Sequence, residues 1–282
     1  MRSWSQPNLR QSHPRRQEYA ALHAGHAETK PTDQFVCTYV GLEGTSINPY
    51  IKDARDVSRL REVTALMGFT RLVPPGSPGA TPAKLSADPT DWLPAVEVFG
   101  EGLFLRFDPK ALEAWEQTDF AKARTAAIAG RAEDGYPVTP RRLLVHTFAH
   151  ALMNELSMDA GYPVASLRER VYAGKDQCGV LVYTATADSA GSLGGLSAQS
   201  EPARLEAVVT SAMQRALWCT SDPVCIESHG SGIGNLNLAA CHACLLVPET
   251  SCEQRNCYLD RALLIGTPGH PSGGFFSSLV NG

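Results

Sequence analysis

Six of the eight cysteines in this chain, Cys219, Cys225, Cys241, Cys244, Cys252 and Cys257, lie between positions 219 and 257. The densest pair, Cys241-His242-Ala243-Cys244, is a Cys-x2-Cys knuckle, which brings two thiolates to one ion on a tight turn. Tetrahedral zinc needs four such soft ligands, so the knuckle supplies half a site. The other half has to come from Cys219, Cys225, Cys252 or Cys257, and spacing alone does not choose among them. Asp222-Pro223-Val224-Cys225 is a turn-forming context, whereas Cys219 follows Trp218 at the end of a helical pattern, where a packed core thiol is equally compatible. Between Ser221 and Pro248 the chain is rich in Gly, Asn and Ser, so a metal would supply folding free energy that apolar burial there cannot.

The rest of the 282 residues is ordinary globular sequence: 43% hydrophobic, 19% charged, with a formal charge of −4. That charge excludes a protein that coats nucleic acid by bulk positive potential. No apolar run is long enough to span a membrane, and residues 1–34 lack the apolar core of a secretory signal, so a cytoplasmic location and thiols held reduced are expected.

Periodicity gives an α+β outline: mixed helices and a small sheet, with a C-terminal four-cysteine zinc module. Residues 1–34 read as a flexible arm. An N-terminal α+β region is expected over 35–138, with a strand at Val36–Tyr39 and a helix at Val57–Met67. It continues with a Pro/Gly-rich linker over 72–94, a hairpin over 95–107 turning at Gly100 and Gly102, and a helix over Lys110–Ile128. From 139 to 266 the pattern reads as the zinc-binding domain. Thr139-Pro140 opens a helix to about Met158, Gly179–Ala185 is a buried strand, and a helix capped near Ser200 runs to Ala216. A short helix is expected over Asn256–Ile265, and residues 267–282 as a disordered tail.

Two further constellations carry possible chemistry. His146 and His150 stand four apart on one face of the Pro140 helix, nearly opposite Leu144, Phe148, Leu152 and Leu156, so they must face something polar. The spacing matches that of zinc peptidases, but Thr147 stands where their general-base glutamate would be. A glycine-rich loop from Asp188 through Gly194 and Gly195 could present backbone N–H groups to an anion, although it lacks the Lys-Ser/Thr ending of a P-loop. His146, His150, Asp188, Gly194 and Gly195 are therefore a candidate functional face.

Several strings resemble the DrmB family: Leu144 to Leu152, Ala165 to Tyr172, Gly179 to Thr184, Gly191 to Leu196 and Ala240 to Cys244, with Arg59–Arg71 and Trp92–Asp108 upstream. DrmB is a component of the DISARM anti-phage system that carries the zinc-binding domain of MrfA-type helicases. The resemblance covers residues 56–266 and implies a non-enzymatic zinc module that works beside a superfamily-two DNA helicase (DrmA-like), in anti-phage defence or DNA repair. It implies one structural zinc on Cys225, Cys241, Cys244 and Cys252. Family members are usually much longer, so the chain resembles a short member or the C-terminal part of one. Two other readings remain: a hydrolase with His146, His150 and Asp188 around a second metal, or a DNA-binding module with a basic face of Arg141, Arg142, Arg168 and Arg170.

Overall fold

The computed structural model describes residues 7–71, 73, 79–81, 83–88, 90–132, 137–184 and 194–281, with side chains from residue 15 onward. Five strands, β1 (Val36–Val40), β2 (Ile51–Ala65), β3 (Ala95–Phe107), β4 (Leu167–Tyr172) and β5 (Gly179–Thr184), form one antiparallel sheet in the order β1-β2-β3-β5-β4. The sequence boundary at 138/139 therefore runs through a single sheet, because β3 pairs with β5 across it. No helix among the described residues is long and apolar enough to cross a membrane.

Side chains alternate across the inner strands, as the pleat requires. Leu103, Leu105 and Phe107 of β3 and Val180 and Val182 of β5 point to the larger core, while Phe104, Leu181 and Tyr183 point to a smaller one. The larger core is covered by α2 (Pro109–Glu116), α3 (Asp119–Ala129), α4 (Pro140–Asp159) and α5 (Pro202–Ala216). The expected single helix over 110–128 is two, because Thr118 caps the second by accepting from the Ala121 N–H. The cap of α5 is Glu201 rather than Ser200.

Three sequence expectations fail for identifiable reasons. Residues 57–67 are expected to be helical from apolar residues three apart, yet 57–65 are the outer part of β2, which ends at Ala65. A register shift between Val57 and Leu60 sets Val57 opposite Gly102 and Leu60 opposite Gly100, so three steps on β2 match two on β3. Such a bulge puts Val57 and Leu60 on one face, and both pack in the smaller core. The hairpin expected over 95–107 is one continuous strand. Gly100 and Gly102 are needed for close approach rather than for a turn: a Cβ at Gly100 would lie 1.7 Å from the Thr184 carbonyl oxygen, and one at Gly102 would lie 2.7 Å from that of Val182. The helix expected over 256–265 is confined to α6 (Ala262–Ile265), because Asn256 and Tyr258 hold positive φ.

Both termini are held. The arm contains α1 (Pro7–Ala24), which lies on the smaller core through Tyr19 and Leu22. Arg55 of β2 closes the helix end by donating to the carbonyls of Leu22 and His23. The tail turns back at Thr267–His270 and ends in α7 (Ser277–Asn281). Phe276 is fully buried, stacked on Phe148 of α4 at 5.3 Å between ring centroids, and Trp115 donates from its indole N–H to the Gly273 carbonyl. A buried aromatic of this kind is worth about 3–5 kcal/mol on truncation to alanine. Phe276→Ala should therefore lower the denaturation midpoint markedly in urea titration, whereas truncating a disordered tail would leave it unchanged.

Candidate metal centre

Helix α4 is buried on all sides from Leu143 to Met153. Leu144 and Phe148 face the larger core, and the polar stripe of His146, His150 and Asn154 faces the cysteine-rich segment and β4. Asn154 donates to the Cys244 carbonyl, and His150 Nδ1 lies 2.9 Å from the Leu245 carbonyl oxygen. The helix thus seats the Cys241–Cys244 knuckle directly.

Four sulfurs converge there, and they are those of Cys219, Cys225, Cys241 and Cys244, all within 4.8 Å of one another. The Sγ–Sγ distances are 3.4 Å for Cys219–Cys241, 3.7 Å for Cys241–Cys244 and 3.8 Å for Cys225–Cys244. Tetrahedral zinc with bonds of about 2.3 Å requires sulfurs about 3.8 Å apart, so the cluster fits the ion without rearrangement. Three of the four expected ligands are present. The fourth is Cys219 and not Cys252, which belongs to another group of side chains described below.

Local structure explains the choice. Just beyond α5, the Asp222 carboxylate accepts from the Cys219 and Ile226 N–H groups, fixing a turn that carries Cys219 and Cys225 at its two ends. Arg261, fully buried, holds Asp222 in place and also donates to the Ala216 carbonyl at 2.8 Å. Cys219 and Cys225 with Cys241 and Cys244 thus form two short-spaced pairs, a signal that sequence analysis recognised only for the second pair.

The electrostatics divide the sulfurs: Cys241 is held down, whereas burial raises Cys225 and Cys244. The Ser221 N–H points at Cys219 Sγ and the Cys241 N–H at Cys244 Sγ. Burial would raise the Cys241 thiol, but the Ala243 N–H and neighbouring sulfur and backbone donors bring it down to about 7. Burial and then the charge of Cys241 push Cys225 up to about 12. Cys241 therefore ionises more readily than Cys225 or Cys244. A four-thiolate zinc centre carries two net negative charges, and the Arg261 guanidinium, electrostatically coupled to Cys225 and Cys244, offsets part of them.

The remaining sequence candidates take other roles. Gly194 and Gly195 follow residues 185–193, so Asp188 lies outside the described residues. The anion expected at this loop is internal: the buried Glu101 carboxylate accepts from the N–H groups of Gly194 at 2.7 Å, Leu196 at 2.9 Å and Ser197 at 3.3 Å, and from the Tyr162 hydroxyl at 2.9 Å. Gly195 is required for packing, since a Cβ would meet the Tyr162 ring at 2.7 Å. Of the basic residues, Arg141 is paired with Glu116, Arg168 with Glu62, and Arg170 with Glu62, Glu253 and Glu18. Cys257 is buried but is not part of either metal-ligand group.

Fold and sulfur cluster together define a zinc-binding domain on a mixed α/β frame, and residues 148–245 match the MrfA Zn-binding domain family. All four clustered cysteines lie inside that span, and Cys252 lies outside it. The chain is 36% identical over 246 residues to the DISARM protein DrmB of Bacillus paralicheniformis (strain ATCC 9945a / NCIMB 11709 / CD-2), a match covering 82% of this chain. The chain belongs to the DrmB family, although it spans only 44% of the length of that relative.

Two expectations follow. Cys219→Ser should release the zinc of the sulfur cluster, while Cys252→Ser should leave that centre intact, as read by the thiolate-to-metal charge-transfer bands of the cobalt-substituted protein. Glu101→Ala should cost about 1–3 kcal/mol, because it strands buried N–H donors. Equilibrium unfolding measures that loss, and added phosphate should not restore it.

Proposed function

We propose that this chain is a non-catalytic, zinc-stabilised accessory module of a superfamily-two DNA helicase, acting in anti-phage defence. The observation that carries the reading is the sulfur cluster itself. Its four thiolates occupy all four tetrahedral positions, so a bound zinc keeps no place for water or substrate and serves to hold structure. The zinc pins the stretch between the end of α5 and the knuckle, where Ile226, Leu236 and Leu238 are buried but regular structure is limited to short turns, single-turn helices and an isolated bridge. The likeness to a DISARM protein supports the defence setting.

A partner surface is available on the outer halves of β2 and β3, which extend past the end of β5 as a two-stranded ribbon. Val63, Leu66, Met67, Phe69 and Val96 are exposed on and beside it. An exposed apolar group of this kind marks a protein interface. Direct DNA binding draws less support, because carboxylates already neutralise Arg141, Arg168 and Arg170. A hydrolase at His146 and His150 would need solvent access, and both side chains are completely buried.

Co-expression with a DrmA-like superfamily-two helicase tests the proposal. The tagged chain should retain the helicase through salt washes, and Val96→Asp should weaken capture about tenfold or more without releasing zinc, in keeping with the loss of a buried interface anchor. Failure of the zinc-loaded wild-type chain to retain the helicase would overturn the reading.

A further inference from the structure

A second group of ligand-type side chains lies behind the sulfur cluster, on the other side of the knuckle. It comprises His146 and His150 of α4, Glu169 of β4 and Cys252, whose ligand atoms also lie within 4.8 Å of one another. His146 Nε2 is 3.1 Å from Glu169 Oε1 and 3.3 Å from Cys252 Sγ, and His150 Nε2 is 3.6 Å from the same carboxylate oxygen. The two histidines and Glu169 are 0–1% exposed and Cys252 is 6% exposed.

This arrangement is poorly satisfied by hydrogen bonds alone. Nδ1 of His150 faces the Leu245 carbonyl, which can only accept, so that nitrogen carries the proton and Nε2 presents its lone pair. The lone pair points toward a carboxylate oxygen, an acceptor facing an acceptor. His150 Nε2, His146 Nδ1 and both Glu169 oxygens are fully buried without a hydrogen-bond partner among the described residues. Such groups are costly in an interior unless something cationic lies between them.

Two details match what a metal ligand shell requires. A histidine ligand ordinarily donates its other ring N–H to a backbone carbonyl, as His150 does to Leu245. The Cys252 sulfur accepts from the backbone N–H groups of Gln254 and Asn256, both at 3.3 Å, which oppose the rise that burial and the Glu169 charge impose on the thiol. Charge agrees as well: one carboxylate, one thiolate and two neutral imidazoles carry two negative charges, which a divalent ion cancels in a site with no water to screen it.

We infer that His146, His150, Glu169 and Cys252 form a second, closed metal site for a divalent ion of borderline softness, zinc, which pins α4, β4 and the Cys252 turn together. Mixed nitrogen, oxygen and sulfur donors in a four-coordinate shell suit zinc better than magnesium or calcium, which prefer oxygen alone. With four protein ligands and no solvent path, the ion holds structure rather than activating water.

Metal analysis of the purified full chain tests this independently of any partner. Wild type should carry about two zinc per chain, and Glu169→Gln and Cys241→Ser should each retain about one. Zinc X-ray absorption on unmodified protein covers the case in which a variant fails to fold. Two sites should give a first shell averaging about five sulfurs to three nitrogen or oxygen atoms, with histidine outer-shell scattering, whereas the sulfur cluster alone gives sulfur only. A wild-type count of one with a sulfur-only shell overturns the second site while leaving the four-cysteine centre standing. In Cys241→Ser a shell reduced to about one sulfur to three nitrogen or oxygen atoms shows the second site standing alone, which distinguishes failure of one site from failure of the other.

Discussion

The fold depends on a helix that has no solvent face. Through its central turns α4 is buried all round, so the side that is not apolar must find its partners inside the protein. It finds them in a polar stripe: His150 meets the Leu245 carbonyl, Asn154 meets the Cys244 carbonyl, and His146 meets Glu169 and Cys252. On the apolar side Phe148 packs between Phe107 of the sheet and Phe276 of the tail. The helix is the joint between the sheet and a C-terminal segment that adds Leu238, Leu245, Leu259, Leu263 and Phe276 to the same core and carries the sulfur cluster on its turns.

Within that segment the backbone turns bring four sulfurs together. Its turns are fixed by a few specific hydrogen bonds, chiefly those of Asp222, Arg261 and the Cys241 carbonyl, which accepts from Cys244 and Leu245. These bonds place four thiols at the spacing that zinc demands. The cluster lies within the residues that match the MrfA Zn-binding domain family, and α4, packed on the sheet, carries the knuckle through Asn154 and His150.

Internal neutralisation runs through the molecule. Gly194, Leu196 and Ser197, at the end of the glycine-rich stretch, donate to Glu101, and the arginines that could have formed a basic face, Arg141, Arg168 and Arg170, are paired with Glu116, Glu62, Glu253 and Glu18. Each is a case of complementary charge supplied by a distant part of the same chain. Side-chain identity alone cannot distinguish a group that waits for a ligand from one that already has a partner.

The amino-acid sequence by itself determined the elements whose signals are local: the zinc chemistry, from crowded thiols; α4, from Thr139 and Pro140; α5, from its apolar stripe; and the buried strand β5. It also carried the family, through long strings that need no knowledge of packing. Tertiary structure alone decided which thiols share a centre, because Cys219 and Cys252 are both compatible with the knuckle by spacing and only the Asp222 turn selects Cys219. It decided that apolar residues three apart at Val57 and Leu60 mean a bulged strand, and that Gly100 and Gly102 mean close strand approach. It also revealed Glu169, a carboxylate on the inward face of β4 between Leu167 and Val171. That placement is legible only once the partner strand and the helix above it are known, since a face becomes buried through what covers it.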